Sequence, residues 1–371
     1  MKSAHRWACA PGSIRSMGTN RRAFLAGLLA AGTAPSLSWA DAGAPTHLSA
    51  AMTPDGAYVL IGLRHDGSLA FQIPLSARGH AAAAHPSKPE AVAFARRPGT
   101  YAIVIDCISG DVLHRLDAPY GHHFYGHGAF SRDGGTLYTT ENHIDSGTGQ
   151  IGVWSRSQGF RRVGQFASGG IGPHEMLRLP GRDVLAVANG GILTRPATGR
   201  EKLNLSTMAP NLTLLSGTGT LIDQVALPPE LHQNSLRHIA ADPHGIACAF
   251  QWQGDPYDSP SLLAYFTPER GLNLLEAPEH RIRALNGYGG SVAILADQQI
   301  ALTSPRGGVL QHYNRDQDFV AQSSQVDICG VASGPNSGLA TDGLGGVHRI
   351  DAKMQTLARH KLAFDNHLIK I

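Results

Sequence analysis

Five histidines stand at the start of successive short apolar segments, and their spacing is the feature of the sequence richest in chemistry. The five are His47, His80, His127, His174 and His238. Imidazole nitrogens are donors that suit iron, copper, zinc and nickel, and a neutral ring is available for coordination near pH 7. If the segments are equivalent units of one fold, these side chains converge. The pattern then predicts a site for a transition metal.

The segments that carry these histidines belong to an internal repeat. Each unit has a short apolar strand, a turn of Asp, Pro or Gly, and further strands, and two later units without histidine begin near Ser291 and Cys329. Seven units in 331 residues average about 47 residues each, near the ~40 to 50 of a four-stranded propeller blade. Tight turns leave no room for crossover helices. We therefore predict an all-β, seven-bladed β-propeller with about four antiparallel strands per blade, in preference to two β-sandwich domains.

The spacing between units predicts how the ring closes and which unit carries an inserted loop. The first unit is short, only 33 residues from His47 to His80, so we expect the C-terminal segment around Leu362 to Ile371 to complete it and close the ring. The fourth unit is the longest, and it contains an insertion from Ile192 to Pro210 that we expect to emerge as a loop on one face.

Three uses of the converging histidines stay open. They bind a metal, or they act with Arg237 and nearby carboxylates on an anionic or sugar-like ligand, or each bonds the neighbouring backbone as a structural group. The candidate metal ligands are His80, His127, His174 and His238, with Glu141 and Glu175 beside them. The candidate catalytic residues for the second use are Arg237, His238 and Glu141.

Polar residues are densest in the third to fifth units, where we place the site. The candidate ligand-binding residues are His123, Glu175, Asn189 and Arg306. On an extended strand His123 and His127 lie roughly 13 Å apart, so they cannot share one ion unless the strand bends; Gly126 is one glycine that permits a bend. The Gly-rich segment that holds Arg306 either presents N–H groups and a charge to an anion or is a plain turn.

The N-terminus is typical of a twin-arginine export signal. Arg21-Arg22 precede an apolar run to Ala34, which is too short for a bilayer span, and then Ser38-Trp39-Ala40. We predict a leader over 1–40, a propeller domain over 41–371, a periplasmic location, and no membrane span in the mature chain. The leader holds five basic residues and no acidic ones, so the rest has 26 basic against 28 acidic residues, a net charge of −2. Without a basic patch, nucleic acid is not expected as a partner.

Familiar cofactor motifs are missing from the sequence. It has no CxxCH haem attachment and no P-loop, so we expect neither haem nor nucleotide. Cys107, Cys248 and Cys329 remain after the leader, an odd set that allows either one disulfide plus a free thiol or three buried apolar cysteines. We favour the second interpretation.

Several phrases of the sequence together resemble one known family. They are Tyr125–Ser131, Leu137–Asn142, Gly170–Glu175, Val187–Gly191, Thr303–Gly308 and Asp327–Gly330. The chain is similar, from about His47 to His367, to the exported bacterial family called domain of unknown function 1513. The resemblance implies a periplasmic seven-bladed propeller of the quinoprotein-like and lactonase-like type, and it brings no established activity.

The resemblance also suggests partners. Members are often encoded beside imelysin-type iron-regulated proteins and di-haem peroxidase-like proteins, which implies periplasmic metal handling. A quinone is not expected, because tryptophan-rich docking motifs are absent and only Trp154 and Trp252 follow the leader. We therefore expect a propeller that binds iron, copper or zinc, or a metal-bearing partner, and assists metal acquisition, with iron as the first candidate. The alternatives are a lactonase-like hydrolase and a non-catalytic interaction scaffold.

Overall fold

The computed structural model describes residues 36–371, except residues 97–99, 200, 297, 315 and 352 and the side chain of Pro196. One compact unit spans Ser38–Ile371. The twin-arginine pattern and the apolar run lie outside the described residues. Trp39, which the sequence placed in the leader, packs into the hydrophobic core of this unit, and its indole N–H donates to the carbonyl of His85 at 2.9 Å.

The compact unit is a seven-bladed β-propeller, as predicted. Its described strands form seven four-stranded antiparallel sheets, each with its strands in chain order except where the ring closes. The strands of the first three blades are β28 (Ala363–Lys370), β1 (His47–Met52), β2 (Tyr58–Leu63) and β3 (Leu69–Leu75); β4 (Gly79–Ala84), β5 (Glu90–Ala95), β6 (Tyr101–Asp106) and β7 (Val112–Asp117); β8 (His122–Phe130), β9 (Thr136–His143), β10 (Gly149–Ser155) and β11 (Arg161–Ala167).

Blades four to seven continue the same order. Their strands are β12 (Pro173–Arg178), β13 (Val184–Asn189), β14 (Asn211–Ser216) and β15 (Leu221–Val225); β16 (Asn234–Ala241), β17 (Ile246–Trp252), β18 (Leu263–Thr267) and β19 (Gly271–Leu274); β20 (Ser291–Ile294), β21 (Ile300–Ser304), β22 (Val309–Tyr313) and β23 (Phe319–Ser324); β24 (Ile328–Ser333), β25 (Gly338–Asp342), β26 (Gly346–Ile350) and β27 (Met354–Arg359). The short helix α1 spans Glu279–Ala284, and 3-10 turns span Arg156–Gln158, Pro196–Thr198, Leu205–Thr207 and Pro229–Leu231.

The C-terminal strand closes the ring, as the short first unit predicted. β28 pairs with β1 in antiparallel register, with His47 opposite Lys370 and Ala51 opposite Phe364. β28 is therefore the innermost strand of the first blade and β1 is its second strand. The first and last segments of the domain are joined by backbone hydrogen bonds, which leaves the ring without an open sheet edge at that point.

Strand composition follows position in the blade. Inner and middle strands are covered on both faces by neighbouring blades, so they are nearly continuous apolar runs, as in β2, where Val59 to Leu63 are all buried. Outer strands such as β11 are mostly exposed and polar. The three cysteines are free and buried, which confirms the favoured interpretation. Within the described residues, no helix is both long and apolar enough to cross a membrane.

Candidate functional site

The innermost strands of five consecutive blades each bring a histidine to the channel axis. The five are His367 on β28, His80 on β4, His127 on β8, His174 on β12 and His238 on β16. The pairing of each strand with its neighbour shifts register beside its histidine. Such bulges redirect side chains and offset unequal spacing to the following turn. This is why a histidine five or six residues before a turn can point to one axis in the four blades whose inner strand is followed by a turn.

Gly126 shows how the bulge in β8 is built. Its φ is +99°, a conformation that favours glycine, and a Cβ there would lie 2.5 Å from Cδ2 of His80. The ring of His80 thus packs directly on the backbone beside His127. The strand does bend at Gly126, yet the bend brings His127 to His80 and leaves His123 elsewhere.

The five imidazoles form one packed group, which we call the axial histidine cluster. Ring centroids lie 4.5 Å apart for His80 and His367, 4.6 Å for His127 and His367, and 5.0 Å for His80 and His127. His174 and His238 extend the group, with their centroids 5.0 Å apart. One potential ligand atom from each of His80, His127 and His367 lies within 4.8 Å of the other two.

Two nitrogens of this group lack an ordinary protein partner. Nε2 of His127 and Nε2 of His367 are buried and have no hydrogen bond to any residue that the structure describes. A buried polar atom normally has a partner in the protein, a water molecule or an ion. These two lone-pair sites face a group of imidazoles, which is the arrangement that a metal ion satisfies.

Glu175 adds a carboxylate to the cluster. Its Oε2 lies 2.9 Å from Nδ1 of His238, and its Oε1 lies 4.0 Å from Nδ1 of His127. Burial raises the pKa of Glu175 to about 7, while the neighbouring His367 acts to lower it. The carboxylate therefore stands where a bound cation would stabilise its charged form.

Burial disfavours the charged form of four of the five rings. It lowers the pKa of His238 to about 3, with further lowering by Arg237, and that of His367 to about 4, where His238 and Arg96 add to the shift and Glu175 and Asp365 oppose it. The pKa values of His127 and His174 are also well below the ordinary value, first because of burial and then because of neighbouring histidines and, for His174, Arg237. A neutral imidazole keeps a lone pair, so these rings can coordinate a metal ion at neutral pH.

One predicted member of the ring is elsewhere. His47 lies on β1, the second strand of its blade, and its Nε2 lies 2.9 Å from the carbonyl of Ser333 in the adjacent blade. The prediction that His47 joins the ring was wrong, because ring closure makes β28 the inner strand, and His367 takes that place. His174 has a comparable contact, with Nδ1 3.0 Å from the carbonyl of Arg237. The structural use of histidine therefore exists in this fold beside the axial cluster.

Three predicted residues lie inside blades, away from the axis. Glu141 on β9 is fully buried and pairs with Arg162 at 2.6 Å. Asn189 on β13 accepts from Ser168 Oγ at 2.7 Å and donates within its own sheet. His123 contacts Asn142, its partner on the next strand, at 3.2 Å. The structure does not bring these side chains to the cluster. Each is held by a partner in or beside its own blade, although Oε2 of Glu141 has no hydrogen bond to a described residue.

The two predicted arginines lie on one side of the cluster. Arg237 lines a cavity of about 130 Å³ together with His80, His174, His238 and His367. Arg237 and Arg306 both line a second cavity of about 270 Å³. On the opposite side, a cavity of about 480 Å³ is lined by His127, Glu175, His238 and His367 among others. The cluster thus separates cavities on its two sides and borders both.

His367 is the site residue that sequence reasoning missed. The C-terminal segment was expected to close the ring, and a strand that does so in the first blade must be its innermost strand. Position in that strand was the available signal, since His367 lies between Asn366 and the apolar pair Leu368-Ile369 of the C-terminal segment. The repeat could not show it, because no turn and second strand follow His367 along the chain.

Two solved structures are similar to this chain, and the first of them supports the fold. Hydrazine synthase of Kuenenia stuttgartiensis aligns over 89% of this chain and 98% of its own, with 14% identity and a TM-score of 0.55. BamB from Moraxella catarrhalis aligns over 84% of this chain and 82% of its own, with 15% identity and a TM-score of 0.49. These likenesses concern the fold alone.

Sequence comparison assigns the family. No curated protein matches the chain. The family model described as "Protein of unknown function (DUF1513)" matches residues 73–371, which include all five strands that carry an axial histidine. The match covers most of the propeller and confirms the resemblance seen in the sequence. The chain belongs to the DUF1513 family.

Proposed function

We propose that this propeller binds a transition-metal ion in the axial histidine cluster and serves in metal acquisition. The ligands are His80, His127 and His367, which come from three consecutive blades. The observation that carries the proposal is that potential ligand atoms of these three residues lie within 4.8 Å of one another.

The distances fit a site that closes slightly around an ion. Metal–imidazole bonds of about 2.0 to 2.1 Å place two ligand atoms on one ion about 3.4 Å apart in tetrahedral geometry. The ligand atoms of the three rings therefore need to approach by at most about 1.4 Å, which is within reach of small side-chain rotations. Glu175 beside His127 and His238 supplies negative charge close to the ion.

The donor set fits the proposed class of metal. Three neutral nitrogen donors suit iron, copper, zinc and nickel better than magnesium or calcium, which prefer oxygen. Three protein ligands also leave coordination positions open. His367 borders cavities on both sides of the cluster, which supports an ion that enters and leaves.

We also propose that the metal is iron, that the protein acts in the periplasm, and that it has protein partners there. The twin-arginine pattern around Arg21-Arg22 supports export. The family's association with imelysin-type and di-haem peroxidase-like proteins supports iron handling and names the partners we propose. The position of Glu175 supports a cation rather than an anion as the axial ligand, because a cation beside this carboxylate would stabilise its charged form.

Metal content tests the proposal directly. The full chain is exported in its native host, purified without chelator and analysed by elemental mass spectrometry, beside the variants His127→Ala and His367→Ala. A matched control, His280→Ala, removes an exposed histidine from α1. We expect close to one metal ion per chain in the native protein and the control, and at least a tenfold loss in both cluster variants. Negligible metal in the native protein, also after incubation with Fe(II), Cu(II) or Zn(II), contradicts the proposal.

Cobalt provides a second readout that does not depend on the host. Co(II) bound by imidazole nitrogens has visible absorption bands that change with its coordination number. We expect those bands to appear on titration of metal-free native protein and of His280→Ala. Their absence from folded His127→Ala, with an unchanged far-ultraviolet circular dichroism spectrum, separates loss of a ligand from loss of the fold.

A second candidate function is hydrolysis of a lactone or sugar acid. The observation that favours it is the cavity of about 130 Å³ that Arg237 shares with four of the axial histidines. Arg237 would hold the anionic group, and His174 or His238 would act as general base. Turnover in a lactone panel that survives chelation and disappears in Arg237→Ala supports it. No turnover by folded protein on any lactone of the panel contradicts it.

A further inference from the structure

A second site lies next to the histidine cluster, in the cavity of about 270 Å³, which we call the basic cavity. We propose that the basic cavity binds a small organic anion that carries two or more negative charges on carboxylate or phosphate groups. Its lining includes three cationic side chains, Lys202, Arg237 and Arg306. Within the described part of the chain, no Asp or Glu lines it.

The three cations come from distant parts of the chain. Lys202 lies in the loop that follows β13, Arg237 lies on β16, and Arg306 lies in the turn after β21. Each therefore belongs to a different blade or inter-strand loop, and only the assembled ring brings them to one cavity. Like charges gathered around one space repel each other, and an anion with two or more charges offsets that repulsion.

The insertion in the fourth unit builds one wall of the cavity. The loop from Ile192 to Pro210 places Ile192, Thr194 and Lys202 in the lining. Asn204 holds the loop in shape, because its side chain accepts from the backbone N–H of Leu193 at 2.7 Å and donates to the carbonyl of Gly191 at 2.9 Å. These hydrogen bonds hold the insertion in place, and the insertion adds the cation of Lys202 to the cavity lining. Both features support a role of the loop in binding an anion.

Aromatic and amide side chains complete the lining. The guanidinium of Arg306 stacks on the ring of Tyr288, 4.5 Å from its centroid, so it is oriented rather than free to rotate. Trp252 adds a second aromatic surface, and Gln251 is held by a bond from its side-chain nitrogen to the carbonyl of Gly289 at 3.3 Å. Aromatic surfaces contact a carbon skeleton, whereas guanidinium groups pair with carboxylate or phosphate oxygens. This combination favours an organic polyanion over a bare inorganic ion.

The electrostatics of Lys202 agree with this reading of the lining. Burial lowers the pKa of Lys202 first, and the nearby charges of Arg237 and Arg306 lower it further. The positive charges of both arginines thus act on the ammonium group of Lys202. A bound polyanion reverses the direction of that effect and stabilises all three charges.

The basic cavity adjoins the axial cluster. Four residues, Tyr125, Arg237, Gln251 and Tyr288, line both this cavity and the smaller one that holds the histidines. A polyanion in the basic cavity would lie at the channel entrance beside the proposed metal ligands. Its binding requires no metal, so this inference stands or falls independently of the proposed function.

Calorimetry on metal-free protein tests the inference. The probes are citrate, which carries carboxylates, glycerol 3-phosphate, which carries a phosphate, and inorganic phosphate as the bare ion; acetate and glycerol serve as the monovalent and neutral references. We expect saturable one-to-one binding of citrate or glycerol 3-phosphate, at least tenfold tighter than that of inorganic phosphate or acetate. Which organic probe binds tighter identifies the anionic group.

Variants locate the binding. Arg306→Gln and Lys202→Gln should each weaken binding of the organic probe at least fivefold. The matched control is Arg115→Gln, since Arg115 also stacks on a tyrosine, 4.1 Å from the centroid of Tyr101, but on an outer strand of another blade. The control should bind as the native protein does.

Three results would overturn the inference. These are no binding of any probe by folded native protein, equal affinity for inorganic phosphate and both organic probes, and equal weakening in Arg115→Gln and Arg306→Gln. The third would indicate attraction by net charge alone. Failure of the metal proposal would show separately, as absence of metal from a protein that still binds the organic probe.

Discussion

Two buried histidines, His348 and His127, show what separates a residue of the fold from a residue of the site. His348 lies on β26 and is fully buried, and its ring bonds Thr356 at 3.1 Å and Asp342 at 2.9 Å. His127 lies on β8 and is almost as buried, but its Nε2 has no hydrogen bond to any described residue. Burial alone therefore does not mark a functional histidine. A functional histidine is marked instead by where its hydrogen-bond partners come from and by whether both ring nitrogens have one.

The difference has a geometric cause. Both partners of His348 come from neighbouring strands of its own blade. The hairpins that join these strands therefore place a partner at each ring nitrogen. The neighbours of His127 are imidazoles from other blades, 4.6 to 6.4 Å away by ring centroid. In this cluster Nε2 of His127 and Nε2 of His367 have no hydrogen bond to a described residue, and the ion that we propose would be their partner.

The largest expected effect on stability is that of His348→Leu. The substitution removes two hydrogen bonds and leaves the buried Asp342 with fewer donors, which we expect to cost about 3 kcal/mol of unfolding free energy. Urea denaturation at pH 7 measures it. Metal content should stay that of the native protein. A cost below about 1 kcal/mol would remove the contrast between the two histidines.

Gly126→Ala should act on both stability and the site. The new Cβ meets the ring of His80 at 2.5 Å, and φ is +99°, so we expect a loss of about 2 kcal/mol and at least a tenfold weaker metal affinity. Gly121→Ala is the matched control, with φ of +74° and no atom within 4 Å of its Cβ. It should lose about 1 kcal/mol and keep the metal. Equal metal affinity in the two variants would contradict the packing argument.

His47 should give the chain part of its acid sensitivity. Burial lowers the pKa of His47 to about 4 from 6.5; the Ser333 carbonyl opposes this shift, while His65 and Lys370 add to it. Between these two values the unfolded chain binds more protons than the folded chain, so stability falls as pH falls. We expect His47→Gln to lose about 1 kcal/mol less than the native protein between pH 7 and pH 5.5. Thermal or urea unfolding at both pH values measures the difference, and an equal loss in both proteins would contradict it.

His127→Leu should have the smallest effect on the fold and a large one on the site. Because Nε2 of His127 has no hydrogen bond to a described residue, an apolar side chain of similar size should change the unfolding free energy of metal-free protein by less than about 1 kcal/mol. Metal binding should fall at least tenfold. The same substitution at His348 is the comparison, and a larger stability loss at His127 than at His348 would reverse our assignment of the two roles.

The blade plan was predictable from the sequence because it is local. Strands, turns and the period of about 47 residues follow from short apolar runs and turn residues, and these fix the fold class. The same register identified four axial histidines, since each stands at the start of its own unit. Glu175 was predictable for the same reason, as the residue after His174.

Side chains that depend on contacts across a blade were not predictable. Glu141 belongs to a polar stretch at the end of β9, which is typical of a channel mouth, but Arg162 from the outer strand of the same blade pairs with it. His123 and Asn189 likewise find partners on adjacent strands. A strand's polar residues do not reveal which face the next strand will cover, and bulges change that face by one residue.

The sequence by itself determined a repeating all-β chain with a histidine at the start of most units. Only the tertiary structure decided which histidines meet, because β28 closes the ring on β1 and exchanges His47 for His367 at the axis. It also decided that Lys202, Arg237 and Arg306 share a cavity. Short-range patterns encode strands and turns, whereas the meeting of distant side chains on an axis depends on closure of the whole ring and on the bulges that aim them.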